Sequence, residues 1–473
     1  MSTRESRFEA YVKRLGEAVG HADRVEPLAG YCTGLLLAGE RKSVEPMAAK
    51  IAPRQSSKQH QSMHHFVANA PWSDEAMLRT VRGWVLPKMT ERLAIAAWIV
   101  DDTGMPKKGR HSVGVARQYC GQLGKQDNCQ VAVTLSVATE EASLPVAYRL
   151  YLPQAWAEDG ERREAAYVPE EVVFQTKPEI ALDQIGTALA DGVPVGVVLA
   201  DAGYGNDTAF RDGVSALGLL YAVGIQETTT VWGPGTAPLA PATGRPGCGR
   251  PATRLRRDAA HQPVSVKALA LGLPATAWRT VTWRTGSAGA MRSRFAAVRV
   301  RAAHGDHKRS EPRAEEWLLI EWPKSESEPT KYFLSTLPAK TKLKRLVATA
   351  KLRWRIERDY EELKQEVGLD HYEGRGWRGF HHHASLCIAA YGFLVSERGA
   401  IPPSGPRWRP KAPRVPEGWR PRGAPDPHRA PQPRLDREPA PRDRARPGAH
   451  LAPLPVLPAS ARKRMSTAVF LTQ

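Results

Sequence analysis

The chain has 473 residues, 42% of them apolar, and a formal net charge of +19. That is enough apolar material for more than one domain, and the basic excess makes nucleic acid the leading partner, because Lys and Arg that neutralise phosphates release condensed counterions. No apolar run approaches the roughly 20 residues of a membrane-spanning helix, the N-terminus MSTRESRFEAYVKRL lacks the apolar centre of a secretion signal, and five scattered cysteines form neither a disulfide framework nor a paired zinc motif. The expectation is a soluble protein of the cytoplasm, associated with the nucleoid, in which thiols such as Cys120 and Cys129 are reduced.

Residues 1 to 90 read as short helices, with Phe8, Tyr11, Val12 and Leu15 at helical spacing, as are Leu28, Tyr31, Leu35 and Leu36. This predicts an all-helical domain whose Arg41, Lys42, Lys50, Arg54 and Lys58 either contact a DNA backbone or form an ordinary solvated face. Over residues 91–225 the pattern changes. LAIAAWIVDDTG is an apolar run ending in acids, CQVAVTLSVATEEASLPVAYRLYLP reads as two strands turning at Glu140 and Glu141, and PEIALDQIGTALADG is a helix stopping at Gly192. VPVGVVLADAGYG is a second buried strand ending in an acid, followed by a helix in TAFRDGVSALG and a strand in LLYAVGI. The order predicts an α/β fold, a mixed sheet with helices on both faces, with Asp102 and Asp201 at the C-terminal ends of two buried strands, where such sheets bind ligands.

Residues 226–340 break the alternation and read as a β-rich insertion, with a Pro/Gly-rich loop in GPGTAPLAPATGRPGCGRP. Residues 341–398 return to helix. At 100° per residue Glu357 lies about 40° round from Arg353 and Lys364 about 20° round, beside an apolar stripe of Ile356, Tyr360, Leu363 and Val367. An exposed helix with ion pairs one turn apart is the plainer reading of that pattern. From residue 399 to 473 the composition collapses into Pro, Arg, Ala and Gly and holds about half of the excess charge. Such a tail is either a disordered basic arm or the out-of-frame product of GC-rich DNA, and the second is preferred. Translating the downstream DNA in the other two frames tests it: the idea falls if neither frame continues the helical pattern.

Asp102, Asp201 and Glu357 together are the chemistry-bearing set. Three carboxylates suit hard divalent cations, and two magnesium ions roughly 4 Å apart could activate a water and stabilise the leaving 3′ oxygen of a phosphodiester. Each acid has a structural alternative, Asp102 and Asp201 as openers of Gly-containing turns. Asp101 should point to the face opposite Asp102, so one of the pair reaches the metals. Lys107, Lys108 and Arg110 could track a DNA backbone or form a solvated loop. Trp354, Trp283, Trp317 and Trp322 could stack on an unpaired base, though core packing is the better reading. His381, His382 and His383 diverge around a helix.

Asp102 in VDDTG, Asp201 in LADAGYG and Glu357 in RWRIERDYEELK resemble the DDE triad of bacterial insertion-sequence transposases, whose catalytic core is ribonuclease-H-like. The branch related to insertion sequence four has a Y-x2-R-x3-E-x6-K motif, matched by Arg353, Glu357 and Lys364 with Ala350 in place of the tyrosine. DDTGMPKKGRHSVGVARQYCGQLGKQDNCQVAV and EVGLDHYEGRGWRGFHHH are similar, more narrowly, to the group numbered seven-hundred-and-one. The resemblance implies that Asp102, Asp201 and Glu357 bind two Mg2+ ions, with Mn2+ able to substitute, and that Arg353 and Lys364 contact DNA phosphates. It also implies double-stranded DNA as substrate, both transposon ends and target, a dimer that pairs the ends, and no role for a membrane. The alternatives are a decayed transposase acting only as a DNA-binding protein, and a general metal nuclease of the same fold.

Overall fold

The structure is a computed structural model and describes residues 4–242, 253–286 and 289–400; the tail from residue 401 lies outside them. Five helices come first: α1 (Arg4–Gly16), α2 (Val25–Leu36), α3 (Val44–Ile51), α4 (Ser56–Ala68) and α5 (Asp74–Thr90). The helical spacing read from the sequence buries Tyr11, Val12 and Leu15 on α1 and Leu28, Tyr31 and Leu35 on α2. These helices pack on the final helix of the described chain, Trp377–Ala400, in one continuous core. Tyr11 donates its hydroxyl to the Ala389 carbonyl at 2.9 Å, and Tyr31 bonds His383 Nδ1 at 2.8 Å. His382 stacks on Trp72 with ring centroids 3.6 Å apart, while His381 Nε2 accepts from the Leu150 N–H at 3.2 Å, so the three histidines serve three separate contacts. Part of the expected basic face is engaged in the fold: Lys42 is buried on the carbonyls of Leu35 and Leu37, Lys50 donates to Ala38, and Arg41 pairs with Glu373. Arg54 and Lys58 stay exposed.

Next come β1 (Ala97–Pro106), β2 (Ala116–Cys120), β3 (Lys125–Ala138), β4 (Ser143–Leu150), α6 (Gln154–Ala157), α7 (Gly160–Ala165), α8 (Lys177–Ala190) and β5 (Val197–Ala200). Then follow α9 (Ala202–Gly205), α10 (Thr208–Ala216), β6 (Tyr221–Ile225), β7 (Thr230–Trp232), β8 (Val264–Ser265), α11 (Val266–Leu271), β9 (Arg279–Gly286), β10 (Gly289–Ala302), β11 (Glu316–Trp322) and β12 (Lys331–Ser335). Three helices complete the described chain: α12 (Leu343–Lys351), α13 (Trp354–Gln365) and α14 (Trp377–Ala400). The strands form one mixed sheet in the order β2-β3-β1-β5-β6-β12-β11-β10-β7-β8, with β4 on β3 and β9 on β10. The pairs β1·β5 and β5·β6 are parallel, and antiparallel strands flank them. This is the expected mixed α/β fold of ribonuclease-H-like type. The β-rich segment does not stand apart from that sheet: β12 pairs with β6 and carries the others outward. Its strand content is visible in the sequence, but its pairing partner is not. No helix among the described residues is long and apolar enough to cross a membrane.

The placement of the first acid differs from expectation. β1 does not stop at its acids, because β3 pairs with it from Ala97 through to Pro106, so Asp102 lies inside the strand. β5 pairs with β1 only from Val197 to Leu199 and stops at Ala200, which leaves Asp201 at a true strand end.

Helix α13 is anchored on its inner side by Ile356, Tyr360 and Leu363, all buried. Asp359, buried to 1% exposure, adds a polar anchor: its Oδ1 accepts from Ser143 Oγ at 2.5 Å on β4 and from the Tyr391 hydroxyl at 2.9 Å on α14. Asp359→Ala is expected to cost about 2–4 kcal/mol, because two buried hydroxyls lose their acceptor. Chemical denaturation checks this, and an unchanged midpoint would show that these bonds do not hold α13.

Candidate active site

In the parallel pair β1·β5, Ala97 is opposite Val197, Trp98 opposite Val198 and Ile99 opposite Leu199. Continued by two residues, the same register brings Asp101 level with Asp201, and level residues of parallel strands project from the same face at a spacing of about 4.8 Å. Asp201 keeps an extended backbone, φ −80° and ψ −174°, and caps α9 by accepting from the Gly203 N–H at 2.9 Å. The turn that follows is closed against β6: a Cβ on Gly205 would lie 1.9 Å from the Gly224 carbonyl oxygen, so only glycine fits.

On that face Asp101 Oδ2 lies 2.6 Å from Arg353 Nη1, and Arg353 Nη2 lies 3.1 Å from Glu357 Oε1. Asp102, one residue on, projects from the opposite face and pairs with Lys177 at the start of α8. The structure therefore places Asp101, and not Asp102, beside Arg353 and Glu357, with Asp201 lining the same side of the sheet. The cause is the two-residue period of the strand, which separates the adjacent acids but does not say which of them faces α13. The same pair shows that α13 and α8 cover opposite faces of the sheet.

The electrostatics follow from this crowding. Burial pushes the Asp101 carboxyl up to about 7; Arg353 opposes the rise, and the charges of Asp201 and Asp102 add to it. Burial likewise works against the Arg353 charge, but Asp101, Glu357 and Asp201 outweigh it and hold the guanidinium above its ordinary value. Glu357 is the most accessible of the three acids, with its side chain 64% exposed.

A cleft of about 410 Å3 opens beside them, with Asp201, Arg353 and Glu357 lining it together with Ala350, Trp283 and Arg284. Ala350, standing where the motif has a tyrosine, leaves this wall short of an aromatic ring. Trp354 lies under the Arg284 guanidinium, 3.7 Å from the ring centroid, with Arg355 at 5.0 Å. Trp283 packs edge-on against Phe295 at 5.6 Å, Trp322 against Trp278 at 5.1 Å, and Trp317 donates to the Pro338 carbonyl at 3.2 Å.

The remaining cations divide in two. Lys364 donates to the Gly104 carbonyl at 2.8 Å and to Gln122 Oε1 at 3.2 Å, and Lys107 donates to the Tyr372 carbonyl at 2.8 Å. Burial lowers both amines, and both brace the end of β1 rather than reaching into solvent. Lys108 and Arg110 are exposed.

Three carboxylates are the donor type that hard divalent cations prefer, so the residues fit such an ion by chemistry. Among the described residues no three His, Cys, Asp or Glu side chains are gathered closely enough to hold a metal; here Arg353 supplies the positive charge between them. The β1·β5 register is what turns Asp101, rather than its neighbour, toward Arg353, and the contact of Arg284 with Trp354 has no signal within either segment, because the two are distant in sequence.

A protein-family model described as DDE superfamily endonuclease matches residues 14–290, a span that holds Asp101, Asp102 and Asp201 and ends before Arg353 and Glu357. The chain is 34% identical over 188 residues to a protein of Microchaete diplosiphon described as "Probable transposase for insertion sequence element IS701". That match covers 40% of this chain and 45% of the relative, so less than half of the relative's length is represented.

Proposed function

The chain belongs to the DDE superfamily of endonucleases, and from that premise we propose that it is an insertion-sequence transposase whose acidic triad is Asp101, Asp201 and Glu357. The observation that carries this reading is the level pair Asp101 and Asp201 with Glu357 joined to Asp101 through Arg353, beside an open cleft. The likeness to a probable transposase supports the choice of reaction within the superfamily.

The substrate is double-stranded DNA, first the terminal inverted repeats of the element and then a target. Water cleaves the phosphodiester at each end to leave a 3′-OH, and that hydroxyl attacks a target phosphodiester to join the strands. Asp101, Asp201 and Glu357 would hold the divalent cations, two Mg2+ or Mn2+ ions, which when bound supply Lewis-acid activation of the scissile phosphodiester. Arg353 neutralises the acids without DNA and is long enough to turn its planar fork to a phosphate when DNA arrives. Lys364 and Lys107 hold the far end of β1, so that Asp101 keeps its position when the phosphates approach. Exposed Lys108 and Arg110 contact the backbone beyond the cleft. Trp354, capped by Arg284, forms the aromatic wall. A dimer pairs the two ends, and the protein acts in the cytoplasm on the nucleoid.

The test uses the purified chain and duplexes taken from the DNA flanking its gene, incubated with Mg2+ or Mn2+. Strand cleavage at the inverted repeat is the expected result. Binding without cleavage in either metal would replace this reading with that of a decayed copy that only binds DNA, and cleavage indifferent to the repeat would make it a general nuclease.

A further inference from the structure

A second cavity, of about 620 Å3, shares no lining residue with the cleft at Asp201 and Glu357. One wall is α4, where His60 and His64 stand one turn apart with ring centroids separated by 5.9 Å. The other is the segment between α13 and α14 together with the first turn of α14, which present Tyr372, Arg375 and Arg378. Tyr167 stands at the rim.

Tyr167 is unusual in two respects. Its φ of +53° makes it the one non-glycine residue with positive φ among the described residues. It ends α7 in a turn where the Tyr167 N–H bonds the Glu164 carbonyl at 3.0 Å and the Val168 N–H bonds the Arg163 carbonyl at 2.9 Å, the position that glycine normally takes. A tyrosine is strained there, and its side chain gains little from packing, because the residue is 81% exposed. A strained residue holding an aromatic ring in solvent at the mouth of a cavity is explained better by a ligand than by the fold.

The surrounding charge says which ligand. Arg375 is exposed, and Arg378 gives one N–H to the Asn69 carbonyl at 2.9 Å and is otherwise exposed. The acids of the lining are Glu45 and Glu373, and Glu373 is paired with Arg41. The Ala166 carbonyl accepts from the Trp377 N–H at 2.8 Å, which ties the Tyr167 rim to α14. The Val113 N–H bonds the Arg375 carbonyl at 2.9 Å, and Lys107 holds the Tyr372 carbonyl, so this wall is joined to the segment leaving β1. Exposed Lys108 and Arg110 thus stand on a segment hydrogen-bonded to the one that carries exposed Arg375 and Arg378, which is in turn hydrogen-bonded to the turn of Tyr167.

We propose that this cavity is a single-stranded DNA subsite: one base enters against the ring of Tyr167, and Arg375 and Arg378 hold the phosphates on either side. An exposed aromatic face flanked by cations is the arrangement that binds single strands without regard to sequence. The proposal rests on the reading that the chain acts on DNA, and deepens it by naming a second contact for the substrate.

The test is fluorescence anisotropy of labelled oligothymidylate with the full chain, run beside the duplex cleavage assay. The wild type should bind the oligonucleotide, Tyr167→Phe should bind equally, and Tyr167→Gly should bind about tenfold more weakly. Tyr167→Gly should melt no lower than the wild type, since glycine accepts the positive φ, which separates lost contact from lost fold. Arg375→Gln should weaken binding and flatten its salt dependence. Tyr167→Gly binding as tightly as the wild type would overturn the proposal, and so would a wild type that cleaves duplex yet ignores the oligonucleotide. A chain that binds the oligonucleotide through Tyr167 but cleaves no duplex would leave this subsite standing and remove the transposase reading.

Discussion

Asp101→Asn is expected to abolish metal-dependent cleavage of end DNA, on the order of a thousandfold or more, while Asp102→Asn keeps most of it. The two residues are adjacent, identical in type and both partly buried, so nothing in their chemistry separates them. Position does. Asp101 is level with Asp201 and within 2.6 Å of the guanidinium that also holds Glu357, whereas Asp102 faces Lys177 across the sheet. Losing Asp101 removes a carboxylate from the set that would hold the cations. Losing Asp102 removes only a partly exposed ion pair, 28% and 32% accessible at its two side chains, worth about 0–1 kcal/mol. Asp201→Asn should match Asp101→Asn, and neither should weaken duplex binding. Gel-shift and cleavage assays run on the same preparations decide the matter. A dead Asp102→Asn beside an active Asp101→Asn would return the triad to the other face of β1.

Arg353→Gln should have opposite effects on metal binding and on cleavage. Without DNA, the guanidinium competes with any cation for Asp101 and Glu357; a unit charge at about 4 Å in an effective dielectric near 20 amounts to ~4 kcal/mol, and exposure at Glu357 screens part of it. Removing it should tighten Mn2+ binding to the free protein by about tenfold. The gain must be sought at a pH well above 7, because burial already pushes the Asp101 carboxyl up to about 7 and Arg353 is what restrains it. Without Arg353 the proton is held more tightly, so near neutral pH proton and metal compete and the gain is masked. Cleavage of end DNA should nonetheless fall, since the variant lacks the fork that would grip the phosphate. Paramagnetic resonance of Mn2+ in the free protein, set beside the cleavage rate, reads the two effects separately. Equal Mn2+ affinity in wild type and variant at alkaline pH would mean that Arg353 does not occupy the place of the cation.

Much of the fold is legible in the order and spacing of the residues. The spacing of Tyr11, Leu15, Leu28 and Leu35 is helical because each helix buries one side, and the apolar runs leading to Asp101 and Asp201 are central strands because parallel strands are covered on both faces. The buried side of α13 is legible by the same arithmetic in Ile356, Tyr360 and Leu363, but that pattern alone reads as an exposed helix with ion pairs, and Glu357 stands out only when set beside the aspartates of the two strands. The contact of α1 to α5 with α14 is not legible, because a half-buried helix records that it is covered and not by what. Lys364 and Lys107 read as free cations for a related reason: a lysine that donates to a distant carbonyl looks, in sequence, like one in solvent.

The kind of each element and the three stretches that carry the acids are thus written in the chain alone, since both follow from periodicity within a single segment. Which acid of the pair at 101 and 102 lies beside Arg353 and Glu357 depends on the tertiary structure. Alternation puts the two on opposite faces, but the pairing of β1 with β5 and the docking of α13 on one side and α8 on the other decide which of them meets Arg353 and which meets Lys177. Register between strands is a relation between segments, fixed by what packs across them, and no residue of either strand states it alone.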